Sequence, residues 1–155
     1  MSVEELVSGL GALLGLNALE FDEQGGLGLY LPNGLEIGLR KSDSGAELLV
    51  FSVLRVLEDV DLEAPSLLRA SLLGERTAGA SLSVGEDAEG RDCLVIWRSF
   101  AVTLIDVQAF ADALGRFAEA ALIWRDSDGA VADAPTESAI PREIPAPGMA
   151  FALRA

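Results

Sequence analysis

The single thiol of this chain, Cys93, is the first residue whose type could do chemistry. A nucleophilic cysteine needs a nearby base or positive field to become a thiolate. The chain contains no histidine to act as that base, although Arg91 is close in sequence. A buried, inert cysteine at the start of a strand is therefore expected. The carboxylate pairs Glu58/Asp59 and Glu86/Asp87 have the residue types for acid–base work. Both sit in polar, turn-like stretches and read as solvated loop charges. Asp126-Ser127-Asp128-Gly129 resembles the opening of a calcium loop but lacks later ligands that such a loop needs. Gly25-Gly26-Leu27-Gly28 does not lead into a helix, so it is no phosphate cradle. The residues thus point to no catalytic residue, no cofactor and no metal.

Composition narrows the partners. The 155 residues carry a formal net charge of −14, and half of them are hydrophobic. Such a chain can build one domain with a real core. Its charge repels nucleic acid and anionic membrane surfaces. The eleven basic residues are scattered and form no stripe for a polyanion. Neutral, apolar or basic surfaces are the natural partners, and solubility alone is the plainer account of the charge. One cysteine excludes an intrachain disulfide. No apolar run approaches the ~18–20 residues that span a bilayer, and the start MSVEEL has no basic signal-peptide region. A soluble, cytoplasmic, unprocessed protein is expected, with no nucleic acid and no membrane among its partners.

The elements follow from periodicity. Residues 2–16 read as an amphipathic helix opened by the capping box Ser2-x-x-Glu5. Leu19 and Phe21 alternate with acids, and residues 27–31 alternate after a Gly-Gly turn. Asn33-Gly34 and the segment 42–45 are turns, with a strand at 35–40 between them. Residues 47–57 are apolar on both faces, as in a central strand covered on both sides. Pro65 suits the first turn of a second helix, expected to run to about Gly79. Ala80, Leu82 and Val84 alternate in a fourth strand, and residues 93–105 form a fifth. Asp106 caps a last helix whose buried stripe runs from Val107 to Trp124, with Asp112 and Arg116 paired on its wet face. The fold class is α+β: a twisted antiparallel sheet of about five strands with three helices, in the order α-β-β-β-α-β-β-α. The domain spans 1–129. Residues 130–155 form a tail holding Pro135, Pro141, Pro145 and Pro147, with little regular structure expected. Its apolar end, Met149 to Leu153, is either docked or a mobile tail, and the mobile tail is the plainer reading.

Surface is where a function remains. The stretch SLLRASLLGERTAGASLSV, residues 66–84, has leucines and alanines spread over a wide arc rather than one stripe. The first helix and early strands carry more leucines than one sheet face obviously needs, and excess apolar surface marks a protein-binding site.

The element order, length and acidic charge resemble the Tir-chaperone (CesT-like) family, the class I chaperones of bacterial type III secretion. The resemblance covers residues 2–126. It rests on SVEELVSGLGALLGL, LEIGLRK, LLRASLLGERTAGASLSV and DVQAFADALGRFAEAALIW. Ser71 departs from an Asn common at this place in the family. The resemblance implies a homodimer formed through the second helix and the following strand. The residues expected there are Leu68, Leu72, Leu73, Leu82 and Val84. It further implies that the partner is the N-terminal segment of a secreted effector, held extended in grooves and along a sheet edge, with secretion-machinery components as further partners. Leu6, Leu10 and Leu13 on the helix, and Leu29 and Leu31 on the strand, are the expected effector-binding residues. A non-enzymatic regulatory protein of the same fold and a small carboxylate-based hydrolase are the other two readings.

Overall fold

The computed structural model describes residues 1–16 and 19–127. Helix α1 (Val3–Leu14) starts where the capping box places it. The Ser2 hydroxyl accepts from the Glu5 N–H at 3.1 Å, and the Glu5 carboxylate accepts from the Ser2 N–H at 2.7 Å. Val3, Leu6, Val7 and Leu10 form its buried stripe. Glycine at position 9 lets α1 meet the last helix closely: a methyl group there would stand 2.7 Å from Cγ2 of Val107.

A meander follows, made of β1 (Gly26–Tyr30), β2 (Glu36–Lys41) and β3 (Glu47–Val56). Helix α2 (Val60–Ser71) then leads through a 3-10 turn (Leu72–Thr77) to the hairpin of β4 (Ser81–Glu86) and β5 (Asp92–Ala101). Helix α3 (Val107–Asp126) closes the domain. The sheet order is β1-β2-β3-β5-β4, antiparallel throughout, so β1 and β4 are its edges. Three helices and five strands occur in the expected order.

Four expectations need correction. Leu19 and Phe21 belong to no strand. The Asp22 carboxylate captures the Gln24 and Gly26 N–H groups at 2.9 and 2.8 Å and makes a turn there instead. Helix α2 begins at Val60, capped by the Asp59 carboxylate on the Leu62 N–H, so Pro65 lies inside the helix. It ends at Ser71, because Leu72 turns extended and Gly74 takes a left-handed φ of 65°. On α3, Asp112 accepts from the Gln108 side chain at 3.0 Å in place of the expected pairing with Arg116.

The fourth correction concerns β3. Leu48, Val50, Ser52 and Leu54 are buried on one face together with Leu94 and Ile96 of β5. Leu49 and Phe51 on the opposite face are half-buried, and Val53 is exposed. Among the described residues only one face of the sheet is covered. The core on that face joins Ile37, Leu39 and the α1 stripe to Phe110 and Phe117 of α3, with Phe100 edge-on to Phe110 at 5.2 Å. The other face is smoothed by Phe51, whose ring lies across Gly38 of β2.

That contact gives a test. A Cβ at Gly38 would stand 2.3 Å from Phe51 Cζ, so Gly38→Ala forces the ring off the sheet. We expect a loss of about 1–2 kcal/mol in urea unfolding, as for other overpacked sites. Phe51→Ala in the same chain should remove most of that penalty, giving a coupling of at least ~0.5 kcal/mol in a double-mutant cycle. Additive effects would show that the ring does not occupy this position.

Candidate functional site: an apolar groove along a free sheet edge

The side chains that could do chemistry have other work. Cys93 is buried on β5. Arg91, its nearest cation in sequence, is bound to Asp87 and Glu89 at 2.7 and 2.6 Å. Asp87 organises the β4–β5 turn by accepting the Glu89 and Arg91 N–H groups at 2.9 Å each. The Arg91 N–H and then its guanidinium hold that carboxyl below the usual range. Asp59 caps α2, and Asp126 pairs with Arg125 at 2.8 Å. Among the described residues no group of His, Cys, Asp or Glu is arranged to hold a metal ion.

The feature with open space is a groove of about 540 Å³ between the end of α1, the outer edge of β1 and the middle of α3. Leu10, Leu14 and Leu16 come from the first of these, and Leu29, Tyr30 and Leu31 from the second. The α3 wall is low, because Ala111, Gly115 and Ala118 recur at helical spacing on either side of Leu114. Small side chains there leave a trough where bulky ones would have closed the core. A Cβ at Gly115 would meet open space.

Among the described residues, the groove runs beside backbone groups that no other strand pairs. Leu31 donates to Leu35 O and Lys41 donates to Gly25 O, so residues 25, 27, 29 and 31 face β2. Antiparallel alternation then turns the N–H and C=O groups of 26, 28 and 30 outward. The Asp22 turn occupies Gly26, through its backbone N–H and its carboxylate. Gly28 and Tyr30 remain as outward-facing donors and acceptors, and both line the groove. Tyr30 is 78% exposed, and the Glu36 carboxylate beside it raises its phenol above the usual value.

The opposite edge is treated differently. The outward N–H of Leu82 on β4 donates to the Ser71 hydroxyl at the end of α2, at 3.0 Å. Ser71 therefore ties helix to edge strand, a role that its position in the sequence did not reveal.

The expected effector-binding residues divide. Leu10, Leu29 and Leu31 line the groove. Leu6 is wholly buried in the core under α3, so it lies away from the groove. Leu13 is exposed on α1 but is not part of the lining. The expected dimer residues also divide. Leu68 on α2 and Leu72 at the start of the 3-10 turn are 73% and 66% exposed. Leu82 is half-buried and Val84 exposed, both on the covered side of β4. The side chain of Leu73 lies outside the described residues. Sequence reasoning missed Leu14, Leu16 and the Ala111-Gly115-Ala118 trough. The small residues at i, i+4 and i+7 were the available signal.

Residues 5–125 match the Tir chaperone protein (CesT) family. The chain belongs to that family. Among solved structures, a chain in the HopA1–SchA chaperone–effector complex is 21% identical with a TM-score of 0.64, covering 80% of this chain and 93% of that one. A chain in the ExsC–ExsE complex is 17% identical with a TM-score of 0.63, covering 79% and 90%. A third lies in the complex of the Yersinia pestis type III secretion chaperone SycH with a fragment of YscM2. It is 18% identical with a TM-score of 0.62, covering 77% and 97%. The fold is thus that of type III secretion chaperones. No curated protein matches the chain.

The Ser71 contact is testable. Ser71→Ala removes the acceptor of the Leu82 N–H, and we expect a loss of about 0.5–1.5 kcal/mol. Amide exchange at Leu82 should accelerate by roughly tenfold while the β3–β5 ladder is unchanged. Unaltered exchange at Leu82 would remove Ser71 from this role.

Proposed function

We propose that this protein is a class I type III secretion chaperone that binds the N-terminal segment of an effector in an extended state. The observation that carries the reading is the pairing of an apolar groove with the outward backbone groups of Gly28 and Tyr30. An extended segment laid along β1 would saturate those groups and drop alternate side chains between α1 and α3. Such binding needs no bond-making step. It keeps the segment soluble and available to the secretion machinery in the bacterial cytoplasm. The family supports this reading, and among the described residues no helix is long and apolar enough to cross a membrane.

The same reading includes a homodimer through α2 and β4. Leu68 on α2 and Leu72 just after it are exposed among the described residues, beside a sheet edge. A two-fold interface is self-complementary and apolar at its centre, which suits such a surface. A typical specific interface would bury about 1,200–2,000 Å². Leu72→Asp would leave a protomer folded, because the side chain is 66% exposed within it. It should convert a dimer into a monomer in sedimentation at micromolar concentration. A native protein that is already monomeric there would end the dimer reading.

One neighbour favours a second reading. YbjN from E. coli, a putative transcription regulator, is 16% identical with a TM-score of 0.54, covering 79% of this chain and 93% of that one. A regulatory protein of the same fold, with no secretion role, would share the groove. Capture from the native host separates the two, since a secretion chaperone brings down one or a few effectors.

Gly115→Leu tests the groove itself. A leucine there enters open space and replaces a poor helix former, so stability should hold or rise by up to ~1 kcal/mol. Capture of an effector's N-terminal segment should fall at least tenfold. In the unaltered protein, capture should persist in moderate salt, because burial rather than charge carries it. Capture that vanishes in moderate salt yet ignores the leucine would replace the groove with a charge-driven contact.

A further inference from the structure

Gly28 has space on both sides of the sheet. It lines the groove, and it also lines a second cavity, of about 380 Å³, on the open face. Gly28 pairs with Gly38 on β2, and Gly38 pairs with Phe51 on β3, so the three stand in one row across that face. Neither glycine takes a positive φ, so backbone conformation does not call for glycine at either place. At Gly38 the reason is the Phe51 ring, which occupies the position of the missing side chain. The space above Gly28 is only partly taken. Tyr30 leans over it from along the same strand, with Cε2 3.4 Å from where a Cβ would stand. Phe51, Asp22, Glu36 and Arg40 line the rest of the cavity.

The backbone limits what can enter this cavity. Gly28 turns its N–H and its C=O outward. A residue that exchanges both hydrogen bonds with it stands directly opposite and points its side chain to the same face. For Gly28 that is the open face, which it shares with Gly38 and Phe51. A strand laid along β1 therefore presents one side chain to the cavity, while the residues before and after it drop theirs into the groove. An aromatic ring from a neighbouring strand is a common cover for a glycine in a sheet. This sheet uses the device once already, with Phe51 over Gly38. The strand placed to do the same for Gly28 is the one that cargo adds. An aromatic side chain also suits the lining, since it meets Phe51 ring to ring and offers its face to the Arg40 guanidinium. A basic side chain would stand beside Arg40, and a short polar one would leave the space unfilled.

We propose that the open-face cavity is the second half of the cargo site, and that it takes an aromatic side chain from the cargo residue hydrogen-bonded to Gly28. This rests on the groove being the cargo site. The class of cargo is then an extended segment with an aromatic residue between two aliphatic ones. The aliphatic side chains enter the groove and the aromatic one crosses to the open face, so the edge strand is gripped from both sides.

The test titrates the full chain with end-blocked peptides by calorimetry. The probe is Ser-Leu-Tyr-Leu-Thr-Leu-Ser, compared with the same peptide carrying threonine or leucine in place of its tyrosine. We expect the tyrosine peptide to bind roughly fivefold or more tightly than the threonine peptide, and more tightly than the leucine peptide as well. Gly28→Val places a side chain in the cavity, at a strand position that favours it and with only ordinary contact to Tyr30. It should abolish the preference for tyrosine and leave the affinity for the threonine peptide as it was. Arg40→Gln keeps the edge and the cavity and should reduce the preference about twofold. Gly115→Leu, which blocks the groove, should weaken all three peptides alike. Equal affinity for the three peptides in the unaltered protein overturns the proposal while the groove reading stands. A leucine peptide that binds as well as the tyrosine one overturns it too, because apolar area alone then accounts for the gain. So does a tyrosine preference that survives Gly28→Val, because the ring then lies elsewhere. Failure of all three peptides to bind ends the groove reading and this one with it.

Discussion

A five-stranded sheet with two apolar faces has to be covered by three helices, and all of them go to one side. The face that holds Ile37, Leu39, Leu48, Val50 and Ile96 receives the large side chains of α1 and α3, and these residues are almost wholly buried. The opposite face keeps Phe51 half-buried over Gly38, with Val53 and Trp97 exposed. Everything distinctive about the surface follows from that division. Helices on one side can cover a central strand completely, but they thin out toward the edges. At β1, α1 has already ended at Leu14 and α3 presents alanine and glycine. The groove is the place where the covering layer runs out before the sheet does.

The two edges show how local chemistry then sorts function. At β4 the end of α2 arrives with Ser71, and its hydroxyl takes the outward N–H of Leu82. The 3-10 turn that follows carries the chain down to the strand, held by Thr77 between Gly74 O and Ala80 O. At β1, among the described residues, only Gly26 is served in this way, by the Asp22 turn. One edge is fastened to its own helix and backed by exposed leucines. The other keeps two residues of open backbone beside an apolar trough. An edge of the first kind suits a rigid, symmetric contact. An edge of the second kind suits a chain that arrives extended.

How far these features could be read beforehand depended on how local their causes are. The Ser2–Glu5 capping box and the Asp106 cap involve neighbours three residues apart, and both stand where the sequence places them. The α2 boundaries involve a competition. Pro65 is an attractive first-turn residue, but Asp59 offers a carboxylate to the Leu62 N–H and begins the helix earlier. Coverage is less local still. Residues 47–56 are apolar on both faces whether or not a second layer exists, so periodicity cannot say that one face stays open. Leu6, Leu10 and Leu14 occupy one stripe of α1, yet Leu6 is core, Leu10 is the groove floor and Leu14 is its exposed rim. Their difference lies in where α3 crosses, which α1 does not encode.

The same reasoning explains why a site with no reactive group can be specific. Hydrophobic burial supplies affinity without direction, whereas edge hydrogen bonds supply direction with little net affinity. Gly28 and Tyr30 together provide two outward donors and two outward acceptors. On the proposed reading they would fix the register of an incoming strand, and every second side chain would then meet the Leu14–Leu31–Leu114 wall. A one-residue slip turns those side chains to the open face, where Tyr30 and Glu36 stand. Specificity of this kind reads alternation rather than identity. It tolerates many sequences of one pattern.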